Sequence, residues 1–368
     1  MRFTLFLSLC LALSMIFTPV IPFTGESNEK SAAAVTSQKK EKDEKITILR
    51  TEANEKVKLD MTDYLVGVVS AEMSPLFSEE ALKAQAVAAH TYALYQTKKG
   101  VTITDDYKKH QGYISPDEAK EKWGDKYEIY SKKITSCVEE VKDKVITYEG
   151  EIILPAYFAL CSGKTESSED VWGGKLPYLV SVTSEGDRLS PDLITEKKVS
   201  REEFEKFTGF SLGEAPVFSL DCTEAGAVKK LTVGGKEFQG NDVQKAFGLK
   251  SNNFSLTYSQ NEFLFTVTGN GHGVGMSQCG ADAMAKAADV KVVAIDKNKP
   301  ANADKCEVPL VMVVKFEGNV AAVEMAVEAG KNEAEKRGMF IASRIIPRQD
   351  EQIEWFARLN ALGKSSTI

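Results

Sequence analysis

The carboxyl of Glu72, in the stretch VVSAEMSP, has a setting that suits acid–base chemistry. It stands between a β-rich run and a helix, at a strand–helix junction beside Val68, Val69, Met73 and Leu76. Apolar neighbours that strip water from a carboxyl disfavour its charged form, and its pKa rises toward the range useful to a general acid. The same position also suits a surface glutamate near a helix start. A second stretch, YFALCSGKTESSEDVWGG, places Ser162 and Thr165 in or beside a turn, with the flat face of Trp172 a few residues on. Hydroxyls next to an aromatic platform bind sugars, although a turn followed by a helix cap has the same composition. The third, GNGHGVGMSQCGADAM, has glycines at 269, 271, 273, 275 and 280 and offers His272, Ser277 and Gln278 as polar side chains. Such glycines allow positive φ and close approach of a ligand, or serve a turn packed against a sheet. The loop has neither GK[ST] nor GxGxxG spacing, so a nucleotide-phosphate site does not fit. A Ser277–His272 nucleophilic pair would lack both a nucleophile elbow and a third member.

The bulk composition narrows the field around these stretches. At 368 residues the chain holds two or three domains of ordinary globular composition. A net charge of −7 with no basic block argues against nucleic acid as a partner. Only three histidines occur, His90, His110 and His272, so few imidazoles are at hand for catalysis or metal binding. The six cysteines form no CxxC pair, and free thiols account for most of them. The N-terminus MRFTLFLSLCLALSMIFTPVIPF carries Arg2 ahead of an apolar run to Phe23. That run is long enough for a membrane anchor, and a cleaved signal segment is the competing reading. Either way Arg2 stays cytoplasmic and the remainder is exported. Residues 24–44, rich in Lys and Glu without an apolar period, are expected to be a disordered tether.

The elements that must position the candidate residues follow from periodicity. KITILRTEANEKVKLD alternates as a strand and hairpin. A helix begins after Ser78, with Leu82, Ala86, Ala89 and Ala93 on one tightly packed face and Gly100 past its end. Helices are also expected around Ser115–Trp123, Glu128–Asp143, SREEFEKFTG and NDVQKAFG, among short strands from Val145 to Phe265. The expected fold class is α+β, helices packed on a largely antiparallel sheet.

In this order, VVSAEMSPLFSEEALKAQAVAAHTYA, YFALCSGKTESSEDVWGG, PYLVSVTSEGD and GHGVGMSQCGADAMA closely resemble the stage II sporulation protein D family, over about 45–285. The resemblance implies a peptidoglycan lytic transglycosylase acting in forespore engulfment. It would be anchored in the mother-cell membrane on the extracytoplasmic face and would have other engulfment proteins as partners. Glu72 matches the family's catalytic glutamate, and Tyr178 and Asp187 fall on positions used in or beside its site. The chain departs from the pattern at His90, where arginine is usual, at Val180 in place of lysine, and at Ala159 in place of histidine. Zinc, known for some relatives, finds few ligands here; neither metal nor cofactor is expected.

From about 281 onward, ADAMAKAADVKVVAIDKNKP and CEVPLVMVVKFEGNVAAVEMAVEAG resemble instead the bacterial microcompartment shell-protein domain. A strand over Val308–Phe316, a helix with Val320, Val323 and Val327 on one face, and a strand over Phe340–Ile346 leading to IIPRQ carry that likeness. The resulting boundaries are 1–23, 24–44, 45–283 and 284–368, the last a small, incomplete α/β shell-type domain without its first strand. Shell tiles assemble in the cytoplasm, whereas the first part is exported, so the sequence reads as two coding pieces joined at ADAMAKA.

Overall fold

The computed structural model describes residues 33–37, 45–288, 290–298, 311–318, 320–336 and 338–346. It divides the chain into two units, one of residues 26–282 and a smaller one that includes 283–368. The apolar segment 1–23 lies outside the described residues. Among those described, no helix is long and apolar enough to cross a membrane.

The larger unit opens with the expected hairpin, β2 (Lys45–Arg50) against β3 (Glu55–Asp60), and β4 (Ile103–Thr104) adds to β2 in parallel. The chain then enters α1 (Met61–Glu72). This corrects the strand–helix junction expected for Glu72, which instead ends a helix. The valines of YLVGVVS favour strand locally, but Tyr64, Leu65, Val68 and Val69 recur at helical spacing and are all fully buried. Burial of that stripe overrides local preference. Helix α2 (Glu79–Lys98) packs its Leu82, Ala86, Ala89 and Ala93 face into the same core. Helix α3 (Pro116–Trp123) starts with a reciprocal Ser115–Glu118 capping box, and α4 (Tyr127–Val141) closes this core with Ile134 and Val138.

One part of the expected tether is ordered. Ala34–Ser37 forms β1, antiparallel to β5 (Lys144–Tyr148), with β6 (Glu151–Ile152) on the other side of β5. The pairing uses main-chain groups that a polar sequence supplies as readily as an apolar one.

A second core is built on β8 (Ile194–Ser200), β13 (Glu262–Thr268) and β12 (Phe254–Ser259), joined antiparallel in that order, and on the meander β9 (Phe218–Cys222), β10 (Val228–Val233) and β11 (Lys236–Gln239). The helices Arg201–Thr208 and Gly240–Phe247 contribute Phe204, which stacks on Phe247 and Phe263, and Phe247, which lies tilted against Phe265. Between the two cores, β7 (Tyr157–Phe158) pairs in parallel with β14 (Met276–Ser277). The fold is α+β, with helices against several small, mostly antiparallel sheets.

In the smaller unit, β15 (Val290–Asn298) and β16 (Val311–Gly318) form an antiparallel hairpin followed by the helix Val320–Lys336. Ala322 is fully buried, while Val320 is exposed. Residues 340–346 form no strand, contrary to expectation. Pro347 and Arg348 lie outside the described residues. The architecture is of the shell-domain kind.

Candidate functional site

Glu72 ends α1 with its carboxyl turned against the loop at 111–112. Its Oε1 accepts the main-chain N–H of Gly112 at 2.5 Å. Burial pushes its pKa up, and this outweighs the Gly112 N–H and the Lys122 charge, which both favour the carboxylate. Lys122 is held near by donating from Nζ to the carbonyl of Ser70 at 3.0 Å. The cation that acts on Glu72 is thus Lys122, on a helix outside the motifs that carry the family resemblance.

The glycine loop carries His272. Gly269, Gly271, Gly273 and Gly275 all have positive φ. A side chain on Gly275 would run into the Ala156 carbonyl, and one on Gly271 would come within 2.8 Å of Phe158 Cβ. The glycines thus let the loop lie flat on the segment 156–161. His272 emerges from this loop between Phe158 and Trp172, with ring centroids 5.8 Å and 5.3 Å away. Its Nδ1 accepts the Val274 N–H at 3.0 Å, which leaves the ring proton on Nε2. Burial pushes its pKa down to about 4, against a hydrogen bond to the backbone of Tyr157 that favours the charged form. The ring is neutral at neutral pH. Trp172 is 45% exposed, so a flat face remains open to solvent beside it.

Tyr157 links Glu72 to His272. Its backbone meets His272, and its buried hydroxyl feels the Glu72 charge, which together with burial raises its pKa well above the usual value. Glu72, Tyr157, His272 and Trp172 thus form a chain of neighbours.

The other sequence-selected residues are engaged with partners of their own. Asp187, fully buried, accepts Cys161 Sγ–H at 2.9 Å and Ser277 Oγ–H at 2.7 Å. Gln278 donates to Gln85 Oε1 on α2 at 3.3 Å. Thr165 exchanges hydrogen bonds with the backbone of Val182, and Ser162 donates to the Ala225 carbonyl. Tyr178 packs its ring on Tyr148, and its hydroxyl accepts the Leu154 N–H. His90 is buried on α2 with Nδ1 3.0 Å from the Lys144 carbonyl oxygen. Among the described residues no group of three or more His, Cys, Asp or Glu side chains is placed to hold a metal ion.

The sequence model described as "Stage II sporulation protein" matches residues 50–148. Stage II sporulation protein D of Bacillus subtilis (strain 168) is 33% identical over 311 residues, covering 77% of this chain and 90% of that protein. The chain belongs to the stage II sporulation protein D family. The protein of the same name from Bacillus amyloliquefaciens is 32% identical over 303 residues, covering 76% of this chain and 88% of the relative. A more distant likeness, 27% over 286 residues, joins 61% of this chain to 38% of the "Amidase enhancer" of Bacillus subtilis (strain 168). A second model, the BMC domain, matches residues 271–349. Its match begins inside the glycine loop, at Gly271.

Sequence reasoning missed four residues around Glu72. Gln111 and Gly112 sit in HQGY, where nothing in spacing distinguishes them from an ordinary loop. Lys122 looks like one cation of a solvated helix face. Tyr157 lies in the YFAL stretch but reads as a strand residue; a tyrosine flanked by apolar residues in a motif of the family was the available signal.

Proposed function

We propose that this chain is a membrane-anchored lytic transglycosylase that cleaves peptidoglycan glycan strands during sporulation engulfment, with Glu72 as its general acid and base. The observation that supports it best is the desolvated Glu72 carboxyl, held at one oxygen by Gly112 and neighbouring the Tyr157–His272–Trp172 wall. In its protonated form Glu72 gives its proton to the glycosidic oxygen as the bond from that oxygen to the muramic acid C1 breaks. The carboxylate left behind accepts the proton of the same sugar's 6-hydroxyl, whose oxygen closes on C1. The product is an anhydro ring, no water is consumed, and Glu72 ends as it began. A single carboxyl suffices, unlike the paired carboxylates of most glycoside hydrolases. Trp172 is suited to carry a sugar ring on its open face.

The apolar run 1–23 would hold the enzyme at the extracytoplasmic face of the mother-cell membrane, where other engulfment proteins would be its partners. The BMC-like quarter is best read as a chimeric addition, since a cytoplasmic shell tile has no use on an exported enzyme; a single long read across codons 275–295 tests that, and an uninterrupted junction defeats an assembly error. The enzymatic reading is tested by mass spectrometry of anhydro-muropeptides released from purified glycan strands. Glu72→Gln is expected to lower release by at least about a hundredfold, the lower range for loss of a general acid. Equal release by both proteins sinks the assignment. Tight wall binding with no release by either would favour a non-catalytic wall-binding module.

A further inference from the structure

Behind Glu72 lies a buried polar cluster that proton transfer to a sugar does not by itself require. The Gln111 side chain is 1% exposed and its amide is engaged at both ends. Its Nε2 donates to the Ala89 carbonyl of α2 at 3.2 Å and to the Tyr64 hydroxyl of α1 at 2.8 Å. Its Oε1 accepts the Tyr157 hydroxyl of β7 at 3.0 Å. A main-chain carbonyl only accepts, so the bond to Ala89 fixes which end of the amide carries hydrogens. Three separate elements thus hold one side chain in one orientation.

The next residue is Gly112, whose N–H meets Glu72 Oε1. A side chain there would bring its Cβ to 3.0 Å from that oxygen, so the carboxylate would have to give by a few tenths of an ångström. The following residues are docked too. Ile114 donates its N–H to the Gly67 carbonyl at 3.3 Å, and the Tyr113 ring stacks on Tyr64 with centroids 5.8 Å apart. A side chain on Gly67 would collide with Tyr113 and lie 2.6 Å from the Ile114 carbonyl oxygen.

We propose that Gln111 is the positioning residue for Glu72: its clamped amide fixes the 111–112 peptide so that the Gly112 N–H holds one carboxyl oxygen and orients the other toward substrate. The inference rests on the reading of Glu72 as acid and base, and it adds a residue that acts only through the backbone. A donated N–H favours the carboxylate, so a peptide released from its clamp lets the Glu72 pKa rise further.

The test uses the full chain with Gln111→Leu, Tyr157→Phe and Glu72→Gln. Glutamate carboxyl carbons are titrated by carbon-13 NMR, Glu72→Gln identifying the Glu72 signal, and the pH profile of anhydro-muropeptide release is recorded alongside. In Gln111→Leu the Glu72 midpoint is expected to move up in pH, the alkaline limb of the profile to follow it, and release at the optimum of the profile to fall at least tenfold because the carboxyl is no longer oriented. Tyr157→Phe, which leaves two of the three bonds to Gln111 in place, is expected to move the midpoint the same way by less. If Gln111→Leu does not fold, Tyr157→Phe decides. An unmoved midpoint in folded variants overturns the proposal even where the wild type releases product. A moved midpoint without release by the wild type leaves the positioning role standing and sinks the enzymatic reading instead.

Discussion

Cys161 illustrates how a side chain with reactive chemistry becomes structural once buried. Burial and the hydrogen bond to Asp187 push its thiol up to about 12, so it is neither a nucleophile nor a metal ligand at neutral pH. Its role is to give a hydrogen to a carboxylate with no access to water, and Ser277 gives the second. Cys161→Ala is expected to cost about 1–3 kcal/mol, the penalty for a buried acceptor left short of a donor, whereas Cys161→Ser keeps a donor and costs less. Urea unfolding midpoints check the ranking; equal losses would show that only the volume matters. His272 makes a pH-dependent contribution of opposite origin. Its folded pKa of about 4 lies below the unfolded value near 6.5, so between them the unfolded chain binds more protons than the folded one. Stability therefore falls as pH drops from about 6.5 to about 4, by at most roughly 3 kcal/mol from this residue. His272→Asn is expected to flatten that part of the stability–pH curve, and an unchanged slope would contradict the assignment. Rare residue types singled out His272 and Trp172 in the sequence, and the fold brings the two rings into contact. Residue chemistry was illegible for Gln111 and Lys122, whose roles arise from a backbone amide and a charge brought near by folding.

At the scale of elements, the close approach of the glycine loop to segment 156–161 decides whether the His272 wall exists. Gly275 combines a φ of +88° with the Ala156 carbonyl where its Cβ would stand. Gly275→Ala is expected to destabilise by roughly 3 kcal/mol, at the upper end for a strained backbone position. It should also release the β7–β14 pairing, seen as faster amide exchange at Met276 and Ser277. Exchange and stability like the wild type's would mean that the loop has room the structure does not show. Periodicity was a good guide to α2, α3 and the β12–β13 hairpin, because each buries one regular face. It failed for α1, whose valines pointed to strand until Tyr64 and Leu65 were seen packed on the same side. It failed again for β1, the tetrapeptide AVTS, which is exposed throughout and sits in a Lys- and Glu-rich stretch with no apolar period.

At the scale of the whole molecule, two cores within 26–282 carry the family likeness, while β15, β16 and the helix Val320–Lys336 belong to the smaller unit. The helix Gln278–Ala288 lies within the stretch that the BMC model matches, and its Asp282 accepts the Ser78 N–H at 2.7 Å at the start of α2. That contact ties the first part of the helix to the core holding Glu72. A chain ending after Ala288 therefore keeps every hydrogen bond described for the site. Its main thermal transition is expected to match that of the full chain within about 2 °C, the shift that roughly 0.5–1 kcal/mol produces in a domain of this size. Any transition belonging to the smaller unit should vanish from the calorimetric trace. Cutting instead after Cys279 removes Asp282 and leaves the α2 start without its acceptor, and that protein should melt several degrees lower. If the chain ending after Ala288 melted as low as the one ending after Cys279, residues beyond 288 would be part of the support for Glu72.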